Sequence, residues 1–112
     1  MNNIIKFKFW DKKEKKFLSE NFISKEWELN RIFADENIFF LQFTGFVDKN
    51  NKEIYEGDLV SQADYEFPLE IVRQPSGLWI ADSKRGYLDM LINIHEKITI
   101  VGNVFEPVVY ES

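Results

Sequence analysis

The chain has 112 residues, 45% of them hydrophobic and 29% charged, no cysteine and a net charge of -5. That size supports one compact unit or two very small lobes sharing a core, and the missing thiols exclude disulfides and thiolate metal sites. Residues 1–56 hold ten basic and ten acidic side chains and residues 57–112 four and nine, so the acidic second half disfavours broad phosphate-backbone binding there.

Eleven Phe, four Tyr and three Trp make the chain rich in rings. Each buried ring removes roughly 150–250 Å² from water, and aromatic and β-branched residues favour strands. The stretch from Met1 to Trp10 carries Lys6 and Lys8 inside its apolar run and has no small-residue cleavage site, which is unlike a secretory signal. No window approaches the ~20 apolar residues of a membrane-spanning helix. A cytoplasmic protein with no membrane partner is expected.

Taken in chain order, Ile4–Trp10 alternates, with Ile5, Phe7 and Phe9 on one face and Lys6, Lys8 and Trp10 on the other, as in a half-buried strand. Asp11–Lys16 is a charged turn. Phe17-Leu18 and Phe22-Ile23 read as short strand pieces; Trp27–Leu29 and Arg31–Phe33 as irregular chain or a short strand. Ile38–Phe43 is the strongest apolar run of the first half. Gly45–Gly57 reads as a tight structure of its own, with a hairpin-type turn at Asn50-Asn51, because Asn tolerates the left-handed region. Ile54-Tyr55, Leu59-Val60, Leu69–Arg73, Leu78–Ala81 and Ile98–Val101 are further strand candidates. Gln74–Gly77 is the turn between two of them, and Gly102-Asn103 and Val104-Phe105 end the core. Leu88, Leu91 and Ile92 have helical spacing, which allows one short helical turn. Many short strands at close spacing predict a small barrel or roll.

Three segments are recognisable together: Ile5-Lys6-Phe7-Lys8-Phe9-Trp10-Asp11, the long stretch from Leu41-Gln42-Phe43-Thr44-Gly45-Phe46 through Asp48–Val60, and Ile100-Val101-Gly102-Asn103-Val104-Phe105-Glu106. In this order and spacing they resemble the YopX family of phage and prophage proteins, over nearly the whole chain. Departures are small: Asn51 stands where the family usually has glycine, Phe43 where it usually has tyrosine, and Pro107 directly follows Glu106. The resemblance implies a phage-encoded, intracellular, mainly-β protein. In that picture residues 1–53 form a short-stranded β region packed on an SH3-like small barrel or roll over 54–112, either as two lobes or as one compact unit. It supplies no established activity and no catalytic residues.

Candidate chemistry is sparse. Tyr55-Glu56-Gly57-Asp58 brackets a glycine with two carboxyls; the simpler reading is a turn in which Gly57 takes φ > 0 and Asp58 accepts backbone N–H groups, since a metal site needs more ligands. His95 is the single histidine and has no evident nucleophile or orienting carboxylate, because Glu96 on a strand would point to the other face; it reads as a surface or turn histidine. Asp48–Lys52 is turn chemistry, with a recognition loop as the alternative. Gly77 and Gly102 read as turn or close-packing positions. Lys6, Lys8, Lys12, Lys13, Lys15 and Lys16, with Trp10 among them, form the basic patch, suited to stacking bases and holding phosphates or simply a solvated, aggregation-resistant edge.

No catalytic, cofactor-binding or metal-binding residue is therefore singled out, and no cofactor or enzymatic activity is expected. The expected function is a phage accessory protein acting as a protein-interaction module, as a homo-oligomer or with a host or phage protein; the alternative is nucleic-acid binding through the Lys/Trp patch. Phe39, Phe40, Trp79 and Tyr87 are rings that an interior and an interface can share.

Overall fold

Seven of the ten residues of Ile38–Val47 are aromatic or β-branched, which is why this run forms the longest strand and the spine of the first sheet. The computed structural model describes residues 7–18, 36–63 and 65–106. The expectations made for residues 4–6, 22–23, 27–29 and 31–33 lie outside that set. In the first sheet β1 (Phe7–Asp11), β2 (Lys16–Phe17), β3 (Ile38–Val47) and β4 (Glu53–Tyr55) run in the order β2-β1-β3-β4, every neighbouring pair antiparallel. The second sheet contains β5 (Asp58–Gln62), β6 (Leu69–Arg73), β7 (Trp79–Asp82), β8 (Leu88–Met90) and β9 (Ile98–Asn103) in the order β8-β7-β6-β5-β9. It is a meander whose last strand returns beside its first, and it curls into a half-barrel. The expected mainly-β small-barrel architecture holds.

The core lies on the inner side of this curled sheet, where Ile54, Val60, Leu69, Ile71, Ala81 and Ile98 are buried together. Ile54 belongs by backbone pairing to the first sheet, so its side chain ties the two sheets into one interior. A short helix α1 (Leu91–Ile94) and a 3-10 turn (His95–Lys97) close one side. The helical turn is present, but not with the expected face: Leu88 sits in β8 and Ile92 is 59% exposed, whereas Leu91 and Ile94, three apart, are the buried pair.

Two other expectations change. β1 does not have a single buried face: Phe9 and Trp10 are both buried and Phe7 is exposed. The reason is ring packing on both sides. Phe40, the cross-strand partner of Phe9, packs on it at 5.0 Å, while Phe17 and Phe105 close on Trp10 at 4.9 and 5.7 Å. β3 also runs past Phe43 through Gly45, where a separate structure was expected. It continues by an irregularity between Phe43 and Val47 at which Gly45 takes φ +88°. The Thr44 hydroxyl donates to the Ile54 carbonyl at 2.8 Å and accepts the Phe46 N–H at 3.2 Å, satisfying groups the irregular pairing leaves over.

The β3–β4 hairpin turns as expected at Asn50-Asn51, with Asn51 at φ 65°. Asn51→Val should therefore cost about 1–3 kcal/mol, since β-branched residues resist this region, while Asn51→Gly should be neutral or slightly stabilising. Chemical denaturation of both variants checks this, and equal midpoints would contradict it.

A polar cleft where the two sheets meet

Two turns and one strand end build the site. In the β4–β5 turn the Tyr55 N–H donates to Asp58 Oδ2 at 2.8 Å. The Gly57 N–H donates to the Ile71 carbonyl at 2.8 Å, and the Gly57 carbonyl accepts the Val104 N–H at 2.9 Å. Gly57 has φ +84°, and a Cβ there would stand 2.7 Å from the Phe105 ring. The Tyr55–Asp58 segment is thus the turn expected from its sequence, with close packing against Phe105 added.

In the β3–β4 turn Asp48 is buried. Its Oδ1 accepts the Asn50 and Lys52 N–H groups, both at 2.9 Å, and its Oδ2 accepts the Ile100 N–H of β9 at 3.0 Å. The Lys49 N–H donates to the Ile98 carbonyl at 3.0 Å. The loop read as turn chemistry is therefore also a joint between the sheets. At the end of β9, Asn103 Oδ1 accepts the N–H groups of Phe105 and Glu106 at 3.0 and 2.8 Å. This bends the chain so that the Phe105 ring reaches Trp10 and Phe39 of the first sheet.

Between these three segments lies a cleft of about 580 Å³. Eleven of the twelve described residues that line it, all but Leu18, come from the three segments singled out in the sequence. Lys8, Lys52, Asp58 and Asn103 give it polar lining, with Tyr55 beside Lys8; Phe7 and Phe9 border it, but their rings pack with Phe40 on the face of β1 opposite Lys8. The Lys8 ammonium lies 4.4 Å from the centre of the Tyr55 ring, a cation–π position that holds it at the cleft.

The two buried carboxyls are driven in opposite directions. Burial pushes the Asp58 carboxyl up to about 6, against the Tyr55 N–H and the Lys8 charge, which favour the anion. Burial also raises Asp48, but the N–H groups of Ile100, Lys52 and Asn50 and the Lys52 charge outweigh it and leave that carboxyl below its usual range. The Asp58 shift makes the folded state hold its proton through about pH 4–6 where the unfolded chain has lost it, so stability falls as pH rises across that window. The loss is on the order of 2–3 kcal/mol. Asp58→Asn should flatten the change in denaturation midpoint between pH 4 and 6, and an unchanged slope would contradict it.

The remaining candidates are placed as follows. Lys12, Lys13, Lys15 and Lys16 are exposed in and beside the β1–β2 turn, Lys12 at 5.8 Å from the Phe39 ring centre. Lys6 lies outside the described residues. Trp10, counted with them as a stacking ring, is only 5% exposed and packed between Phe17 and Phe105, so it offers no face to a base. His95 is a half-buried turn histidine in the 3-10 turn rather than on a strand. Its Nδ1 lies 3.0 Å from the Val47 carbonyl, which places the proton on Nδ1, and its ring lies 4.9 Å from Phe46. Gly77 has φ +92° in the β6–β7 turn; Gly102 pairs opposite Leu59 beside a register irregularity in β9. Of the four rings considered for sharing, Phe39 is exposed, and Phe40, Trp79 and Tyr87 are half-buried. Among the described residues, no three His, Asp or Glu side chains are grouped to hold a metal ion, and no helix is long and apolar enough to cross a membrane.

Two antiparallel sheets, fastened through the Asp48 turn and Phe105 with a polar cleft where they meet, define a small two-sheet β protein. The chain belongs to the YopX family: the family model described as YopX protein matches residues 1–108. No curated protein matches the chain. Among solved structures, the crystal structure of protein EF1440 from Enterococcus faecalis is similar over 93% of this chain and 95% of that one, with a TM-score of 0.59 and 21% identity. At that identity the likeness shows a shared fold.

Proposed function

We propose that this protein works by binding rather than by catalysis, as a self-associating protein-interaction module, a phage-encoded accessory factor in the cytoplasm of a bacterial host. One observation carries the self-association. Among the described residues β8 ends the five-stranded sheet, and on it Leu88 and Met90, two apart and so on one face, are 51% and 39% exposed. An edge strand with an apolar face is a template for pairing. Two copies of β8 running antiparallel would bring these side chains together by a two-fold axis, the commonest symmetry of soluble assemblies. Light scattering during size exclusion tests it: the parent should run at more than one chain mass, and Met90→Lys, at a solvent-facing position, should return it to one. A parent that is monomeric across a range of micromolar concentrations would refute the assembly.

A second reading, nucleic-acid binding, is favoured by the four exposed lysines of the β1–β2 region. The burial of Trp10 and the net charge of -5 weigh against it. A steep fall of oligonucleotide affinity with salt, lost when Lys12, Lys13, Lys15 and Lys16 are replaced together by Gln, would support it.

A further inference from the structure

We propose that the cleft between the two sheets binds a small organic anion, its phosphate or carboxylate held by Lys8 and Lys52 and its organic body lying along the apolar part of the cleft lining. The volume of about 580 Å³ is that of a small-molecule site rather than of a packing gap. Its lining is more polar than apolar, which suits a charged rather than a wholly apolar ligand.

Charge selects the ligand class. In a chain of net charge -5, this cleft collects two lysines from separate elements, Lys8 on β1 and Lys52 at the β3–β4 turn. Lys8 is held in place over Tyr55 at 4.4 Å, so part of the cost of ordering a long side chain is met before a ligand arrives. Two carboxyls, Glu53 and Asp58, also line the cleft, and Asp48 lies close enough to Asp58 to influence it. Asp58 is the one whose charge burial opposes, and its Oδ2 is taken by the Tyr55 N–H. As pH falls toward 6 it takes up a proton, which lessens the negative charge beside the two lysines.

The test is an amide-resolved NMR titration of the full chain with adenosine 5′-monophosphate, inorganic phosphate and phenylacetate. Shifts are expected at residues 51–55 and 102–103, with adenosine monophosphate or phenylacetate binding at roughly millimolar dissociation constants or tighter and inorganic phosphate, which lacks a body, more weakly. The two organic probes separate a phosphate ligand from a carboxylate one. Lys8→Gln and Lys52→Gln, both at exposed side chains, should each weaken binding about tenfold or more while leaving the rest of the spectrum in place. Phenylacetate stays ionised between about pH 7.5 and 5.5, so its affinity should rise several-fold on that descent in the parent and stay level in Asp58→Asn. Shifts absent from those amides, or undiminished affinity in both lysine variants, would overturn the proposal. So would an oligonucleotide that displaces the probe at concentrations far below those of adenosine monophosphate.

Discussion

Replacing Asp48 with alanine is expected to lower folding stability by about 3–5 kcal/mol, a large fraction of what a domain of this size possesses. Three backbone N–H groups lose their acceptor at once, and hydrogen bonds to a charged acceptor are worth more than neutral ones. Asn50 and Lys52 are exposed turn residues, so water can partly replace the lost acceptor there; Ile100 is half-buried in the middle of β9. Asp48→Asn separates the two roles. Its remaining oxygen can still accept in the turn, but its amide group would face the Ile100 N–H, donor to donor. It should therefore keep the hairpin while loosening β9, at an intermediate cost. Urea denaturation read together with amide exchange at Ile100 checks the order, and an Asp48→Ala variant as stable as the parent would contradict it. The pH dependence is opposite in sign to that of Asp58. Because the folded carboxyl is held below its ordinary value, the stability it contributes is present above about pH 4 and lost as pH falls further. The two groups therefore act in opposite senses, Asp58 above about pH 4 and Asp48 below it.

Gly57→Val should be comparably severe. A β-branched residue at φ +84° costs about 1–3 kcal/mol in backbone strain. The added Cβ also meets the Phe105 ring at 2.7 Å, and that ring is hemmed in by Trp10 and Phe39, so it moves only by disturbing the first sheet. Overpacking of this kind typically adds about 1–3 kcal/mol, for a fall in Tm on the order of 10–20 °C. A double-mutant cycle isolates the steric part: Gly57→Ala should cost less in a Phe105→Ala background than in the parent. Equal costs in the two backgrounds would show that the backbone conformation alone is responsible.

Local chemistry was readable from sequence wherever the responsible groups are neighbours. Gln74-Pro75-Ser76-Gly77 between two apolar runs specifies the β6–β7 hairpin, and Asn50-Asn51 the turn before β4. Gly57 in Tyr55-Glu56-Gly57-Asp58 reads as a positive-φ turn glycine, and it is one. What stayed hidden depends on partners far along the chain. Asp48 reads as a turn residue, because nothing near it announces that Ile100, 52 positions later, donates to it. Trp10 reads as the polar-face member of an alternating strand, because Phe105 lies at the other end of the sequence. The family resemblance marked the three segments that build the cleft; that they meet in space followed only from the fold. Lys8 was noted as one of a patch of lysines, but its pairing with Lys52 across a cavity has no local signature.

The link from Asp48 to Ile100 also bears on the order of folding events. Closing a loop of that length is entropically expensive, and its cost falls before the contact can reward it. The β3–β4 hairpin and the β6–β7 hairpin can form from near neighbours, whereas the Asp48 carboxylate finds its third donor only after β9 has come back beside β5. Removing that donor–acceptor pair should then leave the refolding rate nearly unchanged and appear almost entirely as faster unfolding. In kinetic terms the Asp48 carboxylate is a latch that closes last, setting how long the folded protein persists more than how quickly it is reached.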